Sequence, residues 1–154
     1  MVSEKGNGSK KQQEEEIVLV ESDFLFGLRK SDSRHSKVIR SLEKHKEGSL
    51  RIRVLSSGVI EVRAVLYSRG LGQKPVEEAF SLMAEILGDY GVEEFVPTEL
   101  NDVIVAERMR SEWSNLTFFD SLHAAASKRL SQKLLSSEGI YGRIGLNVID
   151  LDTI

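Results

Sequence analysis

Short runs of apolar residues alternate along the chain with longer segments in which apolar side chains recur at helical spacing. The first run, Ile17-Val18-Leu19-Val20, is rich in β-branched residues and predicts a strand that is buried on both faces. Further strands are predicted at residues 50–55, 134–135 and 147–149, with a brief extended piece at residues 92–96. Buried strands that are separated by helices imply βαβ units with right-handed crossovers around a mostly parallel sheet.

Helical spacing, capping residues and glycines predict the helices between these strands. A short helix is predicted at residues 24–28, and Ser33 is the predicted cap of the next one, which continues to residue 46. A third helix is predicted from Ser56-Ser57-Gly58 to about residue 68. Pro75 suits the first turn of a fourth helix, which is predicted to end at Gly88.

Two more helices are predicted in the last third of the chain. One begins after a Thr98 cap, and its apolar side chains are expected to face the core: Leu100, Val103, Ile104 and Met109. The other follows Phe118-Phe119-Asp120-Ser121 and contains Leu122, Ala124, Ala125, Ala126 and Leu130.

Composition restricts the classes of protein that need to be considered. With 154 residues, 40% of them hydrophobic and 29% charged, the chain is long enough for one globular domain with a core. Polar residues 1–16 predict a disordered tail, and residues 17–154 the folded domain. The sequence has no signal-peptide pattern and no apolar run of the roughly 20 residues that a membrane-spanning helix needs, so we expect a cytoplasmic protein. The absence of cysteine excludes disulfides and thiolate chemistry.

Charge is distributed unevenly along the chain, although the formal net charge is only −3. Between Arg29 and Arg53 nine basic residues stand against three acidic ones, a local balance of about +6. Residues 75–106 contain eight acidic residues and neither Lys nor Arg. Such asymmetry is typical of proteins that bind a polyanion on one face. Two solvated helix faces of opposite sign explain the pattern equally well.

Four acids lie far apart in the sequence, each at the edge of an apolar segment: Asp23, Glu61, Asp120 and Glu138. An ionised carboxylate near a core is costly unless it is paired or bound to a metal. Ligands of open parallel sheets bind at the carboxyl ends of the strands, where Asp23 and Glu138 are predicted to lie. Carboxylate oxygens are the ligands that Mg²⁺ and Mn²⁺ prefer, so the four acids predict a divalent-cation site.

These acids and their flanking residues resemble the PIN domain, the compact metal-dependent ribonuclease fold of VapC-type toxins and related RNA-processing nucleases. The resemblance covers nearly all of the chain after Ile17, and the stretches that carry it are 17–26, 55–61, 118–125 and 134–138. The sequence departs from the family pattern at two positions. Phe24 stands where the family usually has Ser or Thr after its first acid, and Glu138 stands where it usually has Asp.

The resemblance implies a three-layer α/β/α sandwich that hydrolyses RNA phosphodiester bonds with Mg²⁺ or Mn²⁺. Asp23 and Asp120 would be the principal metal ligands, Glu61 would bind the metal or orient a water, and Glu138 would complete a second metal position. Ser22 and Ser121 would support these ligands.

The resemblance also implies partners. The substrate would be RNA, whose phosphates would be contacted by basic residues of the region described above: Arg29, Lys30, Arg34, Lys37 and Arg40. The VapC branch of the family further implies a homodimer and a small antitoxin protein as a partner.

Each candidate residue also has a purely structural interpretation. Asp120 could cap its helix, Glu61 could close a capping box with Gly58, Asp23 could form a turn, and Glu138 could lie in a solvated loop. His123, three residues after Asp120, could face the same side of the helix, although a lone histidine there is more often packed or exposed.

Two other functions fit the same pattern. The first is a PIN-like scaffold that binds RNA or protein without cutting, and titration with Mn²⁺ and a single-stranded RNA would distinguish it from a nuclease. The second is a small α/β phosphotransfer or phosphatase domain. That class needs a second acid at the first strand or a lysine late in the sheet. It is disfavoured because Asp23-Phe24-Leu25-Phe26 offers no second acid, and neither Leu135-Ser136-Ser137 nor the last strand supplies the lysine.

Overall fold

One parallel sheet of five strands forms the centre of the computed structural model, which describes residues 14–154. The strands are β1 (Glu16–Val20), β2 (Leu50–Leu55), β3 (Phe95–Val96), β4 (Lys133–Ser136) and β5 (Val148–Asp150), in the spatial order β3-β2-β1-β4-β5. Every neighbouring pair is parallel. Because β1 lies in the middle, both of its edges are hydrogen-bonded, and its carboxyl end lies between those of β2 and β4.

Helices connect the strands and cover both faces of the sheet. They are α1 (Ser22–Phe26), α2 (His35–Glu47), α3 (Ser56–Ser68), α4 (Gln73–Asp89), α5 (Leu100–Glu112), α6 (Phe118–Leu130) and α7 (Ile140–Arg143), and a 3₁₀ turn follows at Leu151–Thr153. In the part of the chain that the structure describes, no helix has the length and apolar character needed to cross a membrane.

The alternation of side chains along β1 divides the core into two. Val18 and Val20 pack on one face with residues of α1 to α4, whereas Leu19 packs on the other face with residues of α6 and α7. The predicted three-layer α/β/α sandwich around a parallel sheet is therefore confirmed.

Small residues let the layers approach each other closely at two places. A Cβ atom on Gly58, near the start of α3, would lie 2.9 Å from the Cα atom of Glu21, so only glycine lets this helix sit against the turn that follows β1. In α6, Ala124 and Ala125 are buried and bring the helix close to its neighbours. Both contacts lie at the carboxyl end of the sheet.

Several predicted helix ends differ from the structure. Ser33 is not a cap, since α2 begins at His35 and no side chain caps it. Helix α4 continues through Gly88 to Asp89. Residue Glu99, not Thr98, caps α5 and forms a capping box with Asp102. The short helix α7 was not predicted at all.

The predicted buried stripe of α5 is wrong at three of its four positions, whereas the fourth, Met109, is partly buried and packs on the core. Leu100 is 79% exposed, and Val103 and Ile104 are also exposed, whereas Asp102 and Ala106 are buried. The reason is an ion pair: Arg129 of α6 donates to both carboxylate oxygens of Asp102 at 2.8 and 3.0 Å. This pair turns the polar side of α5 towards α6.

The N-terminal boundary is one residue earlier than predicted, because Glu16 already belongs to β1 and pairs with Leu50. Residues 1–13 of the predicted tail lie outside the described residues. His45 of α2 is half-buried. Its Nδ1 atom accepts a hydrogen bond from the backbone N–H of Ile52 at 3.0 Å and so ties α2 to β2.

Candidate metal centre

Polar side chains gather where β1, β2 and β4 end and α3 and α6 pass over the sheet. Glu21 follows β1 directly, Glu61 lies in the second turn of α3, and Ser136 is the last residue of β4. His123 reaches the same place from α6. These positions follow from the parallel order of the sheet, which puts three strand ends side by side.

A continuous chain of hydrogen bonds connects these side chains. At one end, Ser136 Oγ lies 3.0 Å from Asp23 Oδ2 and 3.2 Å from Glu21 Oε1. In the middle, Ser22 Oγ lies 3.0 Å from Glu21 Oε2 and also donates to Glu61 Oε1. The chain therefore links Asp23, Glu21 and Glu61 through two serine hydroxyls.

The other end of this chain is a histidine. His123 Nε2 lies 3.0 Å from Glu61 Oε1 and 3.6 Å from Glu21 Oε2. Its Nδ1 atom is 2.8 Å from the hydroxyl of Ser57. His123 is completely buried, so both ring nitrogens depend on these partners rather than on water.

Asp23 is held on one side only. Its Oδ2 atom accepts hydrogen bonds from Ser136 Oγ and from both the N–H and the hydroxyl of Ser137, the last two at 2.8 Å. Its Oδ1 atom is buried and, among the described residues, has no hydrogen-bond partner. An unpaired carboxylate oxygen in a buried position is costly unless a proton or a cation completes it.

The two serine hydroxyls cannot satisfy the three carboxylates. Each hydroxyl has one hydrogen but lies between two carboxylates, so at least one further proton or cation is needed. Burial, the largest cause, and the neighbouring Asp23 carboxylate raise the pKa of Glu21 well above its ordinary value. A proton on Glu21 therefore supplies one missing hydrogen when no metal is bound, while Asp23 Oδ1 stays without a partner among the described residues.

The other two carboxylates of this hydrogen-bonded network, those of Asp23 and Glu61, stay ionised. Burial raises the pKa of Asp23, but hydrogen bonds from Glu21, Ser137 and Ser136 outweigh it, and the pKa is lowered. Burial likewise raises the pKa of Glu61, but hydrogen bonds from His123 and Ser22 lower it overall. The centre thus combines one protonated acid with two carboxylates.

The side chains of Asp120 and Glu138 lie beside this hydrogen-bonded network without joining it, although the backbone N–H of Glu138 donates to Ser136 Oγ at 3.1 Å. The buried hydroxyl of Tyr141 donates to Asp120 Oδ1 at 3.2 Å, and burial followed by the charges of the surrounding acids, Glu21 first, raises the pKa of this tyrosine. Burial and the charges of Asp120, Asp23 and Glu61 raise the pKa of Glu138. All four acids predicted from the sequence therefore lie close enough to influence one another, and their role as metal ligands stays a prediction.

The acid that the sequence pattern missed is Glu21. Its signal was present: it follows Val20 at the end of the first strand, and Ser22 follows it. The expected order of an acid and then Ser or Thr is met by Glu21-Ser22, whereas Asp23-Phe24 does not meet it. Histidine at position 123 could not be assigned from the sequence, because its partner Glu61 is 62 positions away.

The two predicted supporting residues, Ser22 and Ser121, make different contacts. Ser22 contacts Glu21 and Glu61, as described above, whereas the hydroxyl of Ser121 donates to the carbonyl of Phe118 within its own helix at 2.7 Å.

The predicted RNA-contacting residues divide into three groups. Arg34 pairs with Asp32 at 2.8 Å. Its positive charge also interacts with the carboxylates of Asp23 and Glu138. Lys37 pairs with Asp152, and Arg40 donates to the carbonyl of Ile154. Arg29 and Lys30 are exposed at the rim of a groove of about 960 Å³ between α2, α3 and α4.

The donor set fits a divalent cation. Glu21, Glu61 and His123 each offer one ligand atom, and these three atoms all lie within 4.8 Å of one another. Metal–ligand bonds of about 2.0–2.2 Å place neighbouring ligands roughly 3.0–3.5 Å apart, close to the 3.0 and 3.6 Å separations from His123 Nε2.

Comparison with known proteins identifies the fold. No protein-family model matches the sequence, and no curated protein does. Among solved structures, the chain matches VapBC2 of Rickettsia felis, bound to a DNA fragment from its promoter, with a TM-score of 0.65 and 15% identity over 86% of this chain and 97% of that one. It matches FitAcB of Neisseria gonorrhoeae with a TM-score of 0.66 and 14% identity over 89% and 99% of the two chains.

A third match is VapC20 of Mycobacterium tuberculosis, described as a toxin that cleaves the sarcin-ricin loop. Its TM-score is 0.64, with 14% identity over 84% of this chain and 95% of that one. At such low identity the likeness establishes the fold alone. This chain therefore has the VapC-like PIN-domain fold, as the resemblance predicted.

Proposed function

We propose that this chain, with its VapC-like PIN-domain fold, is a metal-dependent endoribonuclease that hydrolyses RNA phosphodiester bonds. The hydrogen-bonded carboxylates Asp23, Glu21 and Glu61 support this function most directly, because they are buried or partly buried, short of positive charge and open to completion by a divalent cation. Asp120 and Glu138 add carboxylates beside them. Mg²⁺ or Mn²⁺ is the expected ion, since both bind carboxylate oxygens.

A bound divalent ion lowers the pKa of a coordinated water, and a second ion can stabilise the leaving oxygen. The residues of the chain prepare the site for this chemistry. Ser136 and Ser137 fix Asp23 from one side, so its unpaired oxygen is directed away from them. His123 and Ser22 fix Glu61. Tyr141 keeps its proton and orients Asp120.

Arg34 is the best-supported of the predicted RNA contacts. Its guanidinium lies close enough to Glu138 and Asp23 for their charges to interact, so a phosphate at the centre would meet a positive charge there. Arg29 and Lys30 are proposed as weaker contacts, because they are exposed at the rim of the groove. RNA binding should therefore weaken as salt concentration rises.

A small antitoxin protein is proposed as a partner, and the groove supports this proposal. Its wall is largely apolar and includes Phe26, Leu66 and Met83, whereas its rim carries Arg29, Lys30 and Arg69 against Asp89. An amphipathic segment with an apolar face and acidic flanks would match this surface. A homodimer is also proposed, and sedimentation of the purified protein tests it.

The decisive experiment is titration with Mn²⁺ in the presence of a labelled single-stranded RNA. We expect cleavage that depends on Mn²⁺, is abolished by EDTA and is lost in Glu21→Gln. The matched control is Glu77→Gln, an exposed acid on α4, which should cleave like the wild type. RNA binding that persists without cleavage at any metal concentration would favour a non-catalytic PIN-like scaffold instead.

A further inference from the structure

We propose that His123 is a nitrogen ligand of the metal, and that the centre therefore binds Mn²⁺ and other divalent transition metals more tightly than Mg²⁺. This inference deepens the proposed function, because it concerns the ion at the same centre. It goes beyond an all-carboxylate site, in which the histidine would have no contact with the ion.

The position of the imidazole supports the assignment. His123 Nε2 faces Glu61 Oε1 at 3.0 Å and Glu21 Oε2 at 3.6 Å, and both carboxylates belong to the chain of acids that needs a cation. These separations match neighbouring ligands of one ion whose bonds are about 2.0–2.2 Å long.

Ser57, the partner of Nδ1, would let His123 change from a hydrogen-bond donor to a metal ligand at Nε2 without moving. Ser57 Oγ lies 2.8 Å from Nδ1, and a serine hydroxyl can either donate or accept. Without metal, Ser57 donates to Nδ1, and Nε2–H donates to Glu61. With a metal held at Nε2, the ring would carry its proton on Nδ1 and donate a hydrogen bond to Ser57 Oγ. Metal-binding histidines commonly hold their second nitrogen in this way.

A second observation shows that the network of acids that contains Glu21 is not fully paired. The buried Oδ1 atom of Asp23 has no hydrogen-bond partner among the described residues, although the same carboxylate accepts three bonds through Oδ2. Asp23 is joined through Ser136 to Glu21, which is one of the three candidate ligands. The network of acids that includes Glu21 is therefore still short of positive charge at Asp23 Oδ1.

The ligand chemistry decides the metal preference. Mg²⁺ is a hard ion that prefers oxygen, whereas imidazole suits transition metals. Two carboxylates with one imidazole thus favour Mn²⁺ over Mg²⁺. Without the imidazole the preference should shrink, because the remaining ligands are all oxygens.

The test is pulsed electron paramagnetic resonance of Mn²⁺ bound to the whole chain without RNA. We expect coupling of the bound Mn²⁺ to ¹⁴N, and its replacement by ¹⁵N coupling when the protein is grown with ¹⁵N-labelled histidine. The labelled wild type needs no substitution, so this result does not depend on the folding of any variant. Bound Mn²⁺ without nitrogen coupling, or no Mn²⁺ binding at all, would overturn the proposal.

Two variants identify the histidine. His123→Gln should lose the nitrogen coupling and bind Mn²⁺ at least about tenfold more weakly, with a smaller effect on Mg²⁺. His35→Gln is the matched control, since His35 contacts the carbonyl of Gly27, and it should keep the coupling. Coupling that survives in His123→Gln would refute the assignment. Nitrogen coupling without RNA cleavage would refute the nuclease and leave this inference standing, whereas cleavage without coupling would do the reverse.

Discussion

Glu61 Oε1 and His123 Nε2 lie 3.0 Å apart, although 62 positions separate the two residues in the sequence. Their contact joins α3 to α6 above the carboxyl end of the sheet. It also links a carboxylate that stays ionised to a fully buried imidazole. This one contact thus connects the packing of two helices with the chemistry of the metal centre.

The stability of the metal-free protein should depend on the protonation of Glu21. Its pKa in the folded state is raised above the ordinary value of 4.5, so the folded state holds this proton more tightly than the unfolded state does. The resulting stabilisation is complete below the unfolded pKa and is lost as pH rises through the folded pKa. Urea unfolding in EDTA from about pH 5 to about pH 8 should show this decline, and Glu21→Gln should flatten it. An equally steep decline in the variant would contradict the assignment.

Substitutions of Glu21 and Asp23 should affect stability in opposite ways. Glu21→Gln replaces a protonated acid by an amide of the same shape, so the free energy of unfolding without metal should be unchanged or higher. Asp23→Asn weakens three hydrogen bonds to an ionised carboxylate, and it should cost about 1–3 kcal/mol. Both variants should lose Mn²⁺-dependent cleavage. Chemical unfolding in EDTA measures the first effect, and a stable Asp23→Asn would argue against the observed network.

Gly58 should be intolerant of a side chain. A Cβ atom there would lie 2.9 Å from the Cα atom of Glu21, and backbone atoms cannot move aside cheaply. Gly58→Ala should therefore destabilise the fold by about 1–3 kcal/mol and weaken Mn²⁺ binding, because α3 carries Glu61. Gly88→Ala is the matched control. No atom lies within 4 Å of its added Cβ, and alanine in α4 should stabilise by about 0.5–1 kcal/mol.

The ion pair between Asp102 and Arg129 should hold α5 on α6. Asp102 is buried, so Arg129→Met would leave its carboxylate without two charge-assisted hydrogen bonds and should cost about 1–3 kcal/mol. Glu99→Gln removes only the exposed partner of the same arginine and should change stability by less than about 1 kcal/mol. Thermal unfolding of both variants compares the two pairs, and equal effects would contradict this difference.

The sequence was sufficient for the parallel sheet. Runs such as Ile17-Val18-Leu19-Val20 are apolar on both faces, and only strands covered by helices on both sides need that pattern. It was also sufficient to place acids at strand ends, because a buried carboxylate is tolerated only there or with a partner. The three-layer sandwich followed from the family resemblance and is confirmed by the structure.

The sequence could not decide which acid follows the first strand. Glu21 and Asp23 are two positions apart and would share one face of an extended strand, so alternation does not separate them. The structure begins a helix at Ser22, which leaves Glu21 at the end of β1 and holds Asp23 against Ser136 and Ser137.

The sequence also could not orient α5 or find His123. Leu100, Val103 and Ile104 have the spacing of a buried stripe, but a distant arginine turns Asp102 to the inside instead. His123 acquires its partners only because α3 approaches Glu21 at a glycine and α6 packs through alanines. Local pattern predicts the type and approximate position of each element, since these depend on near neighbours. Contacts between residues dozens of positions apart are decided by how the layers pack, and the metal centre consists of such contacts.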